Sequence, residues 1–308
     1  MLPVPQRRLC RERRHPRRGG AAHAPVIFQE AGDPIRDLYA AFDFDGDWNG
    51  DNNAENMECW SEASKCNTPD NPFSTCAGQR CPLIATVYRT VIETPTHWFI
   101  QYLPYHPRDW KLTNGHEHDT ESLLMVVARA GGGFGRLQIL ETRFHLDWFR
   151  YAAGPAVAAG QGSIDGPVHT DAASGRPAVD SQLAGHGLCG GFAPPNFLFP
   201  DLQLTCDHAG QPHLVGTGVI YSPDTVPIEM PMVVDGRAVP AGYRLVELLT
   251  SIWPHRFEIG RGKAFLSAWI IKASAATGFN ARNSSAGVGK AMREALRRSR
   301  GGSPAGRG

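Results

Sequence analysis

The chain lacks most of the signatures that assign a sequence to a familiar class. No stretch approaches the ~20 consecutive apolar residues of a membrane-spanning helix, and the basic N-terminus has no apolar run of the kind an export signal needs. The HExxH helix of zinc proteases is absent. No Lys-Ser/Thr follows the glycine cluster 131–135, which we interpret as a hairpin turn, and no Ser nucleophile elbow is present. We therefore assign no catalytic residue.

The chain has seven cysteines, and their spacing argues against zinc knuckles. Four cysteines in the segment 57–82 are separated by six, nine and four residues, whereas zinc favours close C-x₂-C pairs. Two disulfides that staple this insertion fit better, and two later cysteines would bridge the loop 190–205. The candidates are Cys59, Cys66, Cys76, Cys81, Cys189 and Cys206. Six body cysteines, an even number, predict an oxidising compartment and hence a secreted or periplasmic protein.

The net charge of +1 conceals an uneven distribution. Residues 1–18 carry about +6 and residues 287–308 about +5, which leaves about −10 on the chain between them. An acidic body argues against nucleic-acid binding by that body, because such binding needs a positive face. An acidic surface is better suited to cations.

The composition predicts a mostly β protein. The chain has 34 Gly and 24 Pro with 42% hydrophobic residues, which is enough for a core with many loops. Short apolar runs rich in aromatic and β-branched residues are typical of strands. They occur at 85–93, 97–105, 121–129 and 136–149. Their succession predicts an antiparallel β-sandwich with long loops and few short helices.

These patterns divide the chain into a body and two tails. We expect a disordered basic tail over 1–30, a single sandwich domain over 31–286 and a basic C-terminal tail over 287–308. Within the body, 57–82 is a disulfide-rich insertion and 152–185 an Ala/Gly/Ser/Pro-rich surface loop. The first folded element is expected near Ile35, and we expect a monomer.

The most informative stretch is HPRDWKLTNGHEHDTES, from His106 to Ser122, which lies between two predicted strands. If a strand starts near Asp119, alternation places Asp119 and Glu121 on one face. His116 and Asp109 then reach the same point from the preceding loop. Carboxylates that share a pocket repel unless a cation or proton lies between them. The spacing predicts a divalent cation held by these four side chains, unless the stretch is simply a solvated charged loop.

Oxygen-rich ligands favour Ca²⁺, Mg²⁺ or Mn²⁺ over Zn²⁺. A second calcium loop is a candidate upstream, because four positions match the opening of a calcium-binding loop. They are Asp45, Asp47, Asn49 and Gly50, and the candidate cation-binding residues of the loop are Asp45, Asp47, Asn49 and Asp51. Position twelve of that loop is Asn56 rather than Glu, so an Asx-rich turn network that satisfies its own backbone is the alternative.

The motif residues resemble a known family. GHEHDTE (115–121) is similar to the Gly-His-Arg-His-Asp-Trp-Glu heptapeptide of the necrosis-inducing, Nep-like secreted proteins. The preceding WFIQYLPYHPRDW (98–110) resembles that family's aromatic strand and Phe-Pro-Lys-Asp segment, and is more similar still to a group of uncharacterised bacterial relatives. The resemblance covers about residues 85–130. Thr120 departs from it, since the family has Trp at that position.

The resemblance implies a β-sandwich with a divalent cation at the base of an acidic surface cavity. It places the cation ligands on Asp109, His116, Asp119 and Glu121, the four chosen on spacing. Glu117 and His118 would line the cavity. A His-containing segment that follows the motif in relatives makes His186, in AGHGLC, a further cavity residue, with a purely structural histidine as the alternative.

Three functions compete at this point. The first is a metal-binding sandwich that recognises a glycan or lipid head group, as the family implies. The second is a metal-assisted hydrolase of a phosphoester or glycan, with Glu117 or His118 as general base. The third is a structural calcium site in a domain that binds through another face.

Overall fold

The computed structural model describes sixteen strands. The described residues are 20–31, 37–48, 50, 53–54, 56–57, 75–76, 79–80, 84–109, 117–130, 133–145, 147–154, 163–194, 205–227 and 236–255, with side chains left out at 75, 76, 79, 80 and 117. The strands are β1 (Val26–Glu30), β2 (Thr75–Cys76), β3 (Gln79–Arg80), β4 (Thr86–Glu93), β5 (His97–Pro104), β6 (His106–Arg108), β7 (Glu117–Asp119), β8 (Leu123–Ala128), β9 (Arg136–Phe144), β10 (Asp147–Ala152), β11 (Gly166–Pro167), β12 (Ala178–Ser181), β13 (Leu188–Cys189), β14 (Gly218–Ser222), β15 (Ala238–Gly242) and β16 (Arg244–Glu247). A 3-10 turn, Trp253–His255, follows.

Two large sheets account for most of these strands. One has the order β13-β12-β1-β14-β15 and the other β11-β10-β9-β8-β5-β4-β16, while β2-β3 and β6-β7 form separate two-stranded ribbons. The predicted mostly β architecture is confirmed, and the two sheets are consistent with a sandwich. The sheets are mixed rather than antiparallel, because β1–β12, β14–β15, β4–β16 and β10–β11 pair in parallel.

Alternation along the strands builds the core between the sheets. In β5, every second residue from Trp98 is buried, and Ile100 faces the β8 residue Met125 across the ladder. In the five-stranded sheet, Ile27 lies between Val179 and Tyr221 in the register. Residues from both sheets belong to one buried apolar cluster. This shared core holds the two sheets together, because burial of apolar area is the main favourable term in folding.

A second apolar cluster covers the outer face of the seven-stranded sheet. Tyr88 and Leu103 are cross-strand partners whose side chains face away from the first core. Phe42 packs on this face, and its backbone N–H donates to the Tyr88 hydroxyl at 2.7 Å. The segment around residue 42 is thereby fixed against the strands that lead into the charged stretch.

Several sequence predictions need correction. Strand β1 lies inside the expected tail 1–30 and is central in its sheet, and β12 lies inside the expected loop 152–185. The run 136–149 is two strands rather than one, because the chain turns at His145, which has a φ of 57°. The predicted C-terminal strand and tail lie outside the described residues. Within the described part, no helix is long and apolar enough to cross a membrane.

Candidate metal centre

A short ribbon brings the first two residues of the centre together. Strands β6 and β7 pair in an antiparallel register that places His106 opposite Asp119. Directly opposed side chains in such a pair lie on the same face of the ribbon. Both residues are buried, with exposed fractions of 0% for His106 and 5% for Asp119. The charged stretch is therefore folded into the interior and is not a solvated loop at these two positions.

The third residue comes from the turn between β12 and β13. Gln182 N–H donates to the Gly187 carbonyl and closes this turn at 2.9 Å. Within it, Ala184 and His186 have φ angles of 59° and 52°, in the left-handed region. Such a conformation costs roughly 1 kcal/mol or more for a residue with a Cβ. Strain of this kind is typical of positions where a side chain must be aimed, and here it aims His186 inward.

His186 connects two carboxylates. Its Nδ1 donates to Asp119 Oδ2 at 2.8 Å, and its Nε2 lies 3.3 Å from Asp37 Oδ1. The same Asp37 oxygen accepts the Ala184 backbone N–H at 2.9 Å, which ties the turn to the carboxylate. The His106 ring stacks on the His186 ring with centroids 3.5 Å apart and planes within 7°.

Burial and charge act in opposite directions on the two histidines. Burial lowers the pKa of His186, but the hydrogen bonds and negative charges of Asp119 and Asp37 outweigh it and raise that pKa to about 9. Burial holds the pKa of His106 well below its usual value, and the neighbouring His186 lowers it further, against the opposing effect of the Asp37 backbone. In the protein alone, the His186 imidazolium balances the carboxylates while His106 stays neutral.

The three residues could hold a cation. One ligand atom each from His106, Asp119 and His186 lies within 4.8 Å of the others, and all three side chains are buried. No hydrogen bond of standard geometry reaches either ring nitrogen of His106 within the described part of the chain, although the Asp37 backbone lies near enough to act on the ring. An unsatisfied buried polar group costs about 1–3 kcal/mol. A cation in this position would satisfy one of these nitrogens, so the residues fit a divalent ion.

The four ligands predicted from spacing have different surroundings. Asp119 lies in the centre just described. Asp109 is buried immediately after β6, at 6% exposure. Glu121 is buried as well, and its Oε2 lies 3.4 Å from Arg143 Nε, so an arginine already balances part of its charge. His116 lies outside the described residues.

The predicted cavity residue His118 packs into the second apolar cluster. Its ring stacks on Phe42 with centroids 5.5 Å apart, and its Nδ1 is 3.1 Å from the Tyr105 hydroxyl. The Tyr105 hydroxyl in turn accepts a bond from Asn53 Nδ2. For Glu117, only the backbone is described, where it pairs with Arg108. The contacts of His118 with Phe42 and Tyr105 are those of a histidine packed in the core.

The second predicted cation loop is described only in part. Asp45 Oδ2 accepts a hydrogen bond from Asn56 Nδ2 at 2.5 Å, and its Oδ1 lies 3.4 Å from the Asp47 backbone nitrogen. Burial raises the pKa of Asp45 to about 6, against the effect of the Asn56 bond. Asn49 and Asp51 lie outside the described residues. The described contacts are hydrogen bonds within the segment itself, and both the calcium loop and the Asx-rich turn network stay predictions.

The predicted bridge between Cys189 and Cys206 is present, with Cα atoms 5.8 Å apart. Cys189 follows His186 by three residues, so the bridge anchors the strand that leaves the turn. Of the other four predicted cysteines, Cys76 is described only through the backbone of β2, and the remaining three lie outside the described residues. The confirmed bridge fits an oxidising compartment.

Sequence reasoning missed two residues of the centre. His106 opens the quoted HPRDW segment, but only the β6–β7 register reveals that it faces Asp119. Asp37 lies 69 residues earlier in a segment without any motif, and it meets His186 only in the folded chain. Period-two alternation predicts the face on which a side chain lies but not its partner on the next strand, so no signal in the sequence places His106 opposite Asp119.

Comparison with known proteins gives a weak structural likeness. No protein-family profile and no curated sequence matches the chain. The solved structure of the non-toxic HaNLP3 protein is 18% identical, with a TM-score of 0.34 over 64% of this chain and 73% of its own. Necrosis and Ethylene inducing Protein 2, from the causal agent of cocoa's witches' broom disease, is 16% identical with a TM-score of 0.32 over 64% of this chain and 71% of its own.

A third similar structure is NLPPya in complex with glucosamine, at 17% identity and a TM-score of 0.32 over 65% of this chain and 71% of its own. These structures come from the group of proteins that the GHEHDTE motif resembles. Scores this low support no functional conclusion, so the proposals below depend on the contacts within this chain and on its motif.

Proposed function

We propose that this chain is a cation-binding β-sandwich protein of an oxidising, extracytoplasmic compartment. Its buried centre holds one divalent ion, and through that ion it recognises the hydroxyl groups of a glycan or of a lipid head group. The proposed donors are His106, Asp119 and His186, with Asp109 and His116 as further donors expected from the motif. Cys189–Cys206 supports the compartment, because such bridges persist under oxidising conditions.

The observation that carries this proposal is the convergence of His106, Asp119 and His186. Burying carboxylates and imidazoles costs free energy unless these groups are paired. The fold nevertheless brings these three side chains together from separate segments of the chain. No hydrogen bond of standard geometry reaches either ring nitrogen of His106 among the described residues, which leaves room for a further partner there. A bound cation accounts for both features.

Recognition of a glycan follows from the chemistry of a partly coordinated cation. An ion with three protein donors keeps positions that water or substrate hydroxyls can occupy. The motif resemblance supports a glycan or lipid head group as the ligand class. Among the described residues nothing favours the hydrolase alternative, since His118, one of its two candidate bases, packs between Phe42 and Tyr105.

A structural cation is the second candidate, and one observation favours it. His106, Asp119 and His186 are all at most 5% exposed. Donors that are this deeply buried are typical of ions that stabilise a fold. The two candidates differ in one measurable way, because a structural ion contributes stability without contributing to ligand binding.

The deciding experiment is metal analysis of the purified full chain, followed by thermal unfolding with and without a chelator. We expect one divalent ion per chain and a fall in melting temperature when the ion is removed. Asp119→Asn should lose the ion, because it removes the central carboxylate. Asp147→Asn, which neutralises an exposed aspartate at the start of β10, is the matched control and should keep it.

Ligand binding then separates the two candidates. Glucosamine, the sugar bound in one of the structures above, is a convenient first probe by calorimetry with the metal-loaded and metal-free chain. Binding that requires the ion supports recognition, and an ion that affects only stability supports the structural role. An ion-free protein whose melting is insensitive to chelator contradicts both, and the centre would then be an ion-pair network.

A further inference from the structure

The disulfide between Cys189 and Cys206 lies against two polar side chains. The Cys206 Sγ is 3.2 Å from the Tyr151 hydroxyl and 3.4 Å from His208 Nδ1. The same hydroxyl lies 3.0 Å from His208 Nδ1 and 3.9 Å from the Cys189 Sγ. The hydroxyl, the imidazole nitrogen and the Cys206 sulfur therefore form a closed triangle of contacts, and the second sulfur lies next to it.

Strand β10 orients the imidazole of this triangle. Phe149 and Tyr151 are two residues apart in β10, so their side chains lie on the same face of the strand. The Phe149 ring meets the His208 ring edge to face, with centroids 4.4 Å apart. His169 Nε2 lies 3.3 Å from the His208 carbonyl oxygen, on the backbone of the same residue. His208 is thus held beside the sulfur at its ring and at its backbone.

Two glycines leave the space that this arrangement needs. Gly190 directly follows Cys189, and a Cβ at this position would lie 2.5 Å from the Tyr151 ring. A Cβ at Gly166 would collide with the His208 carbonyl oxygen. Neither glycine has a positive φ, so these positions require space rather than a left-handed backbone. The close approach of the Tyr151 ring to Cys189 depends on the missing side chain of Gly190.

The two sulfurs differ in access. Cys206 is partly exposed, whereas Cys189 is fully buried. In thiol–disulfide exchange a thiolate attacks one sulfur and the other leaves as a thiolate, so the rate depends on access and on stabilisation of the leaving sulfur. An imidazole or another donor beside a sulfur favours its thiolate form. Burial raises the pKa of the Tyr151 hydroxyl far above its usual value, so this hydroxyl keeps its proton and is a donor.

From this geometry we propose that Cys189–Cys206 is a redox-active disulfide that exchanges with dithiols, a function separate from the proposed cation centre. The first thiolate of the dithiol attacks the accessible Cys206 Sγ. The S–S bond breaks, and its electron pair leaves on the Cys189 sulfur beside the Tyr151 hydroxyl.

The second half of the exchange releases the other cysteine. The second thiolate of the dithiol attacks the dithiol's own sulfur in the mixed disulfide, and Cys206 leaves as a thiolate beside His208 Nδ1. Two electrons have then passed to the bridge, and the dithiol has become a cyclic disulfide. The two protons of the dithiol end on the sulfurs of Cys189 and Cys206, so atoms and electrons balance.

The test follows reduction of the full chain by dithiothreitol, with the two cysteines read by alkylation and peptide mass spectrometry. We expect reduction in the folded chain to be less than 100-fold slower than in urea. His208→Phe keeps an aromatic ring but removes the nitrogen, so it should slow reduction of the folded chain at least 10-fold. His213→Phe is the matched control, because the His213 ring stacks on Phe192 and bonds the Gln211 carbonyl, and it should react like the unaltered chain.

A measurement on the unaltered chain keeps the proposal testable if His208→Phe fails to fold. Cys206 of the reduced, folded chain should react with iodoacetamide at pH 7 at least 10-fold faster than a cysteine in an unstructured peptide. Protection of the bridge by 100-fold or more, a slower Cys206, or equal reduction rates of the two histidine variants would each overturn the proposal. The bridge would then have a structural role alone, and the cation centre, which is tested by metal content, would be unaffected.

Discussion

His186 has two carboxylate neighbours where an ordinary ion pair would have one. Its turn conformation, its stacked neighbour His106 and both hydrogen bonds all act on the same ring. Breaking a buried ion pair by removing one partner typically costs about 3–5 kcal/mol, because the other charge is left uncompensated. Removing one side chain of the centre therefore destabilises the others. For this reason, metal binding should be measured with substitutions that keep the size and shape of the side chain.

At this scale, the sequence allowed part of the centre to be predicted. Asp119 followed from strand alternation, and His186 followed from the resemblance. His106 and Asp37 did not, because their roles depend on cross-strand register and on contacts across more than sixty residues. Charge patterns reveal which residues are costly to bury, but they do not reveal which of them meet.

Asp180 provides a test of buried charge away from the centre. It is fully buried, and its Oδ2 accepts the Ala193 N–H at 3.0 Å. Burial raises the pKa of Asp180 well above 3.8, and neighbouring Glu30 adds to the rise. A carboxyl whose folded pKa is raised costs stability as the pH rises from its unfolded value through its folded value.

We therefore predict that Asp180→Asn stabilises the chain at pH 7 by about 1 kcal/mol or more, and by much less at pH 4. Urea denaturation at the two pH values measures the difference. Exposed Asp147→Asn should shift neither value by more than ~0.5 kcal/mol. If Asp180→Asn and the unaltered chain have the same free energy of unfolding at both pH values, burial of the Asp180 charge does not lower stability.

Among the elements, strand β12 and the turn that follows it are the least expected. The composition of this stretch indicates a surface loop, yet all of Ala178–Ser181 is buried and pairs with β1 in parallel. Parallel pairing joins segments that are distant in sequence, so no local hairpin signal precedes it. The strands of the seven-stranded sheet were predictable because most of them form antiparallel neighbours with short connections.

Strain in this turn can be relieved at one position. Ala184 has a φ of 59°, and glycine adopts this conformation without the penalty of a Cβ. We predict that Ala184→Gly raises the free energy of unfolding by about 0.5–1 kcal/mol while keeping the Asp37 contact of its backbone N–H. Chemical denaturation measures this change.

Ala153→Gly is the control for that experiment, because Ala153 does not have a positive φ. It should leave stability unchanged or lower it, since glycine there only increases the entropy of the unfolded chain. If both glycine variants behave alike, the left-handed conformation of Ala184 does not cost measurable stability.

For the whole molecule, the position of β1 matters most. The five-stranded sheet has β1 at its middle, paired with β12 on one side and with β14 on the other. The sequence indicated a tail here because basic, Gly- and Pro-rich residues surround a strand of only five residues. A short central strand has a weak sequence signal, since its stability comes from neighbours supplied by the rest of the chain.

Ile27→Ala tests this placement. Ile27 is fully buried between Val179 and Tyr221, so truncation should lower the free energy of unfolding by about 2–5 kcal/mol. Val226→Ala, at a side chain that is 75% exposed, should change it by less than ~0.5 kcal/mol. Equal effects of the two substitutions on thermal and urea unfolding would contradict the central position of β1.

The order of the residues of the centre along the chain has a consequence for when it can form. Asp37, His106 and Asp119 are all synthesised before His186, and β13 and Cys206 come later still. A nascent polypeptide that has not yet passed residue 186 has no complete set of donors, however much of its seven-stranded sheet has formed. The proposed centre can therefore take up an ion only after residue 186 has been synthesised, so occupancy would report that translation has passed that residue.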